Sequence, residues 1–80
     1  MTLAPMTLEE VVARVLRCAA TDVNDESSTR TIASWDSLRH IEVVMELEEV
    51  FGLAFPPMQA AAMTSVGAIR RVLQQHGIEA

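Results

Sequence analysis

The sequence predicts an all-α fold: a small four-helix bundle made of three main helices and a short third helix, in one domain over residues 1–80. Three observations predict it. Three segments carry apolar residues at helical spacing, capping residues stand where those segments begin, and no segment alternates apolar and polar residues as a strand does. Half of the residues are hydrophobic, enough for a core, and with few aromatics and no Tyr that core is built from Val, Leu, Ile, Met and Ala.

Residues 1–6 read as a flexible leader, within which Met6 is an alternative start. Thr7 is an N-cap, and Glu10 three residues later completes a capping box. Leu8, Val11, Val12, Val15, Leu16 and Ala19 then form one apolar stripe, so the first helix is expected from Leu8 to Ala20. The polar stretch from Thr21 to Ser34 has no periodicity and reads as a long loop, which Val23 and Ile32 could pin to the core. The second helix is expected from Ser37 to Phe51, with Asp36 as N-cap and Gly52 as terminator. Ile41, Val44, Leu47 and Phe51 are assigned to its inward stripe; Leu38, Glu42, Met45 and Glu49 lie on a second face that mixes apolar and acidic groups. Pro56 and Pro57 stop that helix, and Pro57 can open a short third helix through Met63. Thr64 or Ser65 caps the last helix, Val66, Ile69, Val72 and Leu73 face inward, and Gly77 ends it.

Charge narrows the function. A formal net charge of −5 disfavours nucleic acid and anionic membrane, which both require a basic patch, and suits basic surfaces on other proteins. The uncharged run from Gly52 to Ile69 is interrupted by Pro56-Pro57, Gln59 and Thr64-Ser65, against a membrane span. Cys18 is the single cysteine, so no internal disulfide forms; it lies near the Val11–Val15 stripe and is expected in the core. Without a secretory signal pattern the chain reads as a cytoplasmic monomer. His40 and His76 have no companions at metal-ligand spacing, so no metal site is expected.

Asp36-Ser37-Leu38, followed by IEVVMELEEVFG, resembles the acyl carrier protein family, as do the long preceding loop and the Thr64-Ser65-Val66 start of the last helix. The resemblance extends from Leu8 to Gly77. It implies a carrier without catalytic residues, bearing 4'-phosphopantetheine that a phosphopantetheinyl transferase moves from coenzyme A to Ser37, with Asp36 and Leu38 flanking the attachment site. The arm's thiol would hold acyl groups as thioesters. Implied partners are that transferase, an acyl-loading ligase or acyltransferase, and a ketosynthase or other acyl-processing enzyme. Helix physics agrees with the position: unpaired N–H groups and the positive end of the helix dipole favour a phosphodiester beside a first-turn serine.

Leu38, Arg39, Glu42, Met45 and Glu49 are the expected partner-binding residues; Glu46 and Glu48 divide evenly between docking and a solvated face. Ser34-Trp35 stand where the family often has Gly and a small residue, and Trp35 is expected to pack the loop against the second helix. Arg39 replaces an acid usual in fatty-acid carriers, which favours a specialised pathway such as polyketide assembly. A peptidyl or aminoacyl carrier and a helical adaptor without prosthetic group are the alternatives. A Ser37–His40 hydrolase is a poor third, because nothing orients the imidazole. From Gly52 to Ile69, the residues Leu53, Phe55, Met58, Ala60, Ala61, Ala62 and Met63 either wall an acyl chain or simply close the core.

Overall fold

Thr7 starts the fold as expected. Its hydroxyl accepts from the Glu10 N–H at 3.1 Å, and the Glu10 carboxylate accepts from the Thr7 N–H at 2.8 Å. In the computed structural model, which describes residues 7–79, the first helix α1 spans Leu8–Leu16, a single 3₁₀ turn spans Ala20–Asp22, and three further helices follow: α2 Ser37–Phe51, α3 Pro57–Ala62 and α4 Val66–Gln75. Among the described residues the β-type pairing is one isolated bridge, Ser28 with Ser65, so the all-α bundle with a short third helix stands. The leader expected over residues 1–6 lies outside the described residues.

α1 ends at Leu16, four residues before the Ala20 expected from its stripe. Arg17 takes a left-handed conformation (φ 61°, ψ 45°), and the Ala13 carbonyl accepts from the N–H groups of both Arg17 and Cys18. The Ser34 hydroxyl donates to the Leu16 carbonyl at 3.2 Å, satisfying another helix-end group. The stripe failed as a boundary signal because the chain must turn there to bring Val23 into the core. Ala19 is exposed and Cys18 is half-buried against the core. α2 closes with the same geometry at Gly52 (φ 68°, ψ 40°), where the Glu48 carbonyl accepts from Gly52 and Leu53.

Leu8, Val11, Val12 and Leu16 of α1 pack against Val43 and Leu47 of α2 and Val66, Ile69 and Leu73 of α4, all buried. Each such fully buried side chain contributes about 1.5–3 kcal/mol. The inward stripe of α2 is corrected here. Val43 is fully buried, whereas Ile41 is 56% exposed; Val44 and Phe51 are half-buried. Apolar residues occupy so much of the circumference of α2 that periodicity alone did not choose the buried line. In α4, Val72 is half-buried beside the three buried positions.

The long loop is docked. The Ser27 and Asp25 carbonyls accept from the Val66 and Gly67 N–H groups, each at 2.9 Å, satisfying two first-turn donors of α4; Ser65 caps a third, from Ala68. Val23 and Ser27 are buried, and Ile32 packs against the core. Arg70 of α4 bonds both Glu9 of α1 and Asp25 of the loop. Burial alone would lower the Arg70 pKa, but the hydrogen bond to Asp25 and the charges of Glu9 and Asp25 outweigh it and raise it, so the cluster keeps its positive centre.

Candidate functional site

The first turn of α2 is fixed from both sides. Asp36 is its N-cap: one carboxylate oxygen accepts from the Arg39 N–H at 2.9 Å, and the Asp36 carbonyl accepts from the His40 N–H at 2.8 Å. Trp35, directly before the cap, is 1% exposed, and its indole N–H donates to His40 Nδ1 at 3.1 Å. Trp35 thus joins the loop to α2. Between these anchors Asp36, Ser37 and Leu38 are exposed. The cap consumes the third amide of the helix, while the amides of Ser37 and Leu38 have no intrahelical acceptor. An exposed hydroxyl beside two such donors fits a phosphodiester, and an outside enzyme can reach it.

A Ser37–His40 catalytic pair is disfavoured for a reason opposite to the one expected: the imidazole is oriented, but toward Trp35 and Ala60. Both imidazole nitrogens are engaged, Nδ1 by Trp35 and Nε2 by the Ala60 carbonyl at 2.9 Å. His76 also has a structural post: Nε2 lies 3.0 Å from Gln59 Oε1, and the ring meets Phe55 edge-on at 5.7 Å. Among the described residues no three His, Cys, Asp or Glu side chains gather as a metal site.

Down α2, Leu38, Ile41 and Met45 are each more than half exposed and follow one another at spacings of three and four, so they share a face. Ile41, assigned inward from the sequence, therefore belongs with Leu38 and Met45; its spacing from both was the overlooked signal. Arg39 pairs with Glu42 at 2.8 Å. Glu46 approaches Arg14 of α1 at 3.7 Å. Glu48 turns back to accept from the Phe55 N–H at 2.9 Å, a structural task that explains it without any partner. Glu49 is exposed at the end of the face.

Beside this face runs an open groove of ≈ 720 Å³ between α1 and α2, lined by Arg14, Val15 and Arg17 on one side and by Arg39, Met45 and several of the glutamates on the other. Arg14 of α1 and Arg17 just past its end were absent from the sequence-based list. Nothing local to α1 marks them; they join the site only because the helices pack side by side. Among the described residues no helix is long and apolar enough to cross a membrane.

Residues 7–73 match the family described as "Phosphopantetheine attachment site". The chain is similar to the acyl carrier protein of Rubrobacter xylanophilus, with 37% identity over 59 residues covering 74% of this chain and 73% of that protein. It is also similar to the acyl carrier protein of Clostridium acetobutylicum, with 32% identity over 69 residues covering 86% of this chain and 90% of the other. The family match and the extent of these likenesses agree with the exposed first-turn serine: the chain belongs to the acyl carrier protein family, carriers and not catalysts, with 4'-phosphopantetheine as the covalent prosthetic group.

Proposed function

We propose that Ser37 carries the arm and that the chain presents acyl thioesters to enzymes of a specialised assembly pathway in the cytoplasm. The observation that carries this reading is the exposed Ser37 hydroxyl in the first turn of α2, capped by Asp36 and backed by buried Trp35. The amides of Ser37 and Leu38 would hold the phosphate, and the bound group would supply a thiol that forms thioesters. Asp36 keeps its charge occupied with the Arg39 amide. Tethering raises the concentration of the acyl group at whichever enzyme is docked.

Carriers of this family work with phosphopantetheinyl transferases and acyl-processing enzymes. The docking surface we assign here is Leu38, Ile41 and Met45 flanked by Arg39, Glu42 and Glu49. A specialised pathway is supported by Arg39, whose charge is spent on Glu42 and breaks a uniformly acidic field next to Ser37.

Incubation with coenzyme A and a broad-specificity phosphopantetheinyl transferase tests the attachment. The expected result is one added arm, mapped to Ser37 by fragmentation, and none on a folded Ser37→Ala variant. An alanine variant that still gains the arm would refute the assignment. The intact mass of chain isolated from its native host then identifies the acyl class; an aminoacyl or peptidyl mass would replace the acyl reading.

A further inference from the structure

Three arginines and four glutamates line the groove between α1 and α2, and most of them answer one another. Arg39 pairs with Glu42, Arg14 reaches Glu46, and Glu48 turns back to the Phe55 N–H. Two exposed charges are left over. Among the described residues no acidic side chain pairs with Arg17 and no basic one pairs with Glu49. The two helices run antiparallel here: Leu16 at the end of α1 meets Ser34, just ahead of α2, while Arg14 meets Glu46 farther along it. Arg17 therefore stands at the end of the groove nearest Ser37, and Glu49 at the opposite end, about 10 Å along α2 from Glu42. Met45, well exposed, lies between them. Arg17 is also strained. It takes the left-handed conformation that Gly52 takes at the end of α2, where a Cβ crowds the backbone and glycine has none. Strain kept at an exposed charge that the fold leaves unpaired points to a task for that side chain outside the fold.

We propose that this groove docks an acyl-processing enzyme through a two-signed patch: a carboxylate of the enzyme meets Arg17, an apolar side chain seats beside Met45, and a cation meets Glu49. The proposal rests on the carrier reading above and adds its polarity. A partner surface basic throughout would suit the net charge of −5 but would set like charges together at Arg17. Opposite signs at the two ends also fix direction, because a carrier turned end for end would meet repulsion at both. The carboxylate therefore belongs on the side of the enzyme where the arm enters.

The test turns on a sign. Its probe is the enzyme purified from the native host by its turnover of the loaded wild-type chain; Kd is measured with the unloaded chain and KM with the loaded one. Against a partner basic throughout, Arg17→Glu removes a repulsion and tightens binding. Against a two-signed partner it weakens binding. The expected result is that Kd and KM rise roughly threefold in Arg17→Ala and roughly tenfold in Arg17→Glu, while Arg17→Lys stays within about twofold of wild type. The change falls on KM and not on kcat, and it shrinks as salt is raised. All three variants keep a Cβ at position 17, so the backbone strain is common to them, and thermal unfolding checks that each is folded. Glu49→Arg should weaken binding as well, and combined with Arg17→Glu it should weaken it further. Reversing one carboxylate of the enzyme to arginine should restore binding of Arg17→Glu and impair that of wild type.

Equal or tighter binding by Arg17→Glu would overturn the two-signed patch, and so would the lack of any enzyme carboxylate whose reversal restores it. Failure to gain the arm would appear as an unchanged mass and would strike the Ser37 assignment instead. The Kd series, taken on the unloaded chain, judges the patch in that case too.

Discussion

Replacing Arg17 with glycine should stabilise this protein. α1 and α2 end in the same way: one carbonyl, of Ala13 or Glu48, accepts from two successive N–H groups across a left-handed residue. At the end of α2 that residue is Gly52; at the end of α1 it is Arg17, with φ 61° and ψ 45°. A Cβ in this conformation costs about 1–2 kcal/mol, because it crowds the following carbonyl oxygen. Glycine removes that strain but returns about 0.5–1 kcal/mol through the greater freedom of the unfolded chain. The net gain for Arg17→Gly is therefore about 0.5–1 kcal/mol, or roughly 2–8 °C in Tm for a domain of this size. Arg17→Ala is the control. It removes the same exposed charge and keeps the Cβ, so its Tm should stay near that of wild type. Thermal unfolding followed by circular dichroism measures all three. If Arg17→Ala gains as much as Arg17→Gly, the effect comes from charge, and the conformational argument is refuted. Both variants also remove an arginine from the α1–α2 groove, so a docking defect shared by the two is separable from the stability gain of one.

Three further outcomes follow from the packing. Val43→Ala should cost about 2–3 kcal/mol in urea unfolding, whereas Ile41→Glu should change stability by less than about 0.5 kcal/mol and weaken turnover by a cognate acyl-processing enzyme; reversed effects would restore the stripe read from the sequence. Glu42→Arg combined with Glu49→Arg should slow association with that enzyme and flatten its salt dependence while the domain stays folded; kinetics unchanged across a salt series would remove α2 from the interface. Gly67→Val should destabilise by about 1–3 kcal/mol and speed amide exchange in the 21–34 loop, because even a Cβ there would stand 3.0 Å from the Asp25 carbonyl oxygen; unchanged melting and exchange would mean the loop can yield.

Local chemistry was legible in the sequence wherever a few adjacent residues settle it. The capping box at Thr7, the Asp36 cap and the Gly52 stop each involve groups within a few positions of one another, so their side-chain types suffice; at the last helix they narrowed the cap to Thr64 or Ser65, and the structure chose Ser65. The candidate site was legible in another way: Asp36, Ser37 and Leu38 by themselves announce only a helix start, and they stand out as a site through the family resemblance that they and the following helix carry. The end of α1 was not. Its apolar stripe continued, no glycine announced the turn, and an arginine took the left-handed position because the Ser34 contact and the burial of Val23 lie outside the local window.

The sequence by itself therefore determined the all-α class, the beginnings of the four helices and the exposed serine at the second of them, because capping and periodicity act within a turn or two. Tertiary structure alone decided which line of α2 is buried, since Val43 and Ile41 are equally apolar and only the positions of α1 and α4 distinguish them. It also decided what the long loop does, by supplying α4 with carbonyls from Asp25 and Ser27, some forty residues upstream in the chain. The arginines of the α1–α2 groove and the place of His40 between Trp35 and Ala60 belong to the same category. Such contacts join residues far apart in the chain, and the energy that selects them comes from burial and from satisfying otherwise orphaned polar groups, which no short stretch of sequence contains.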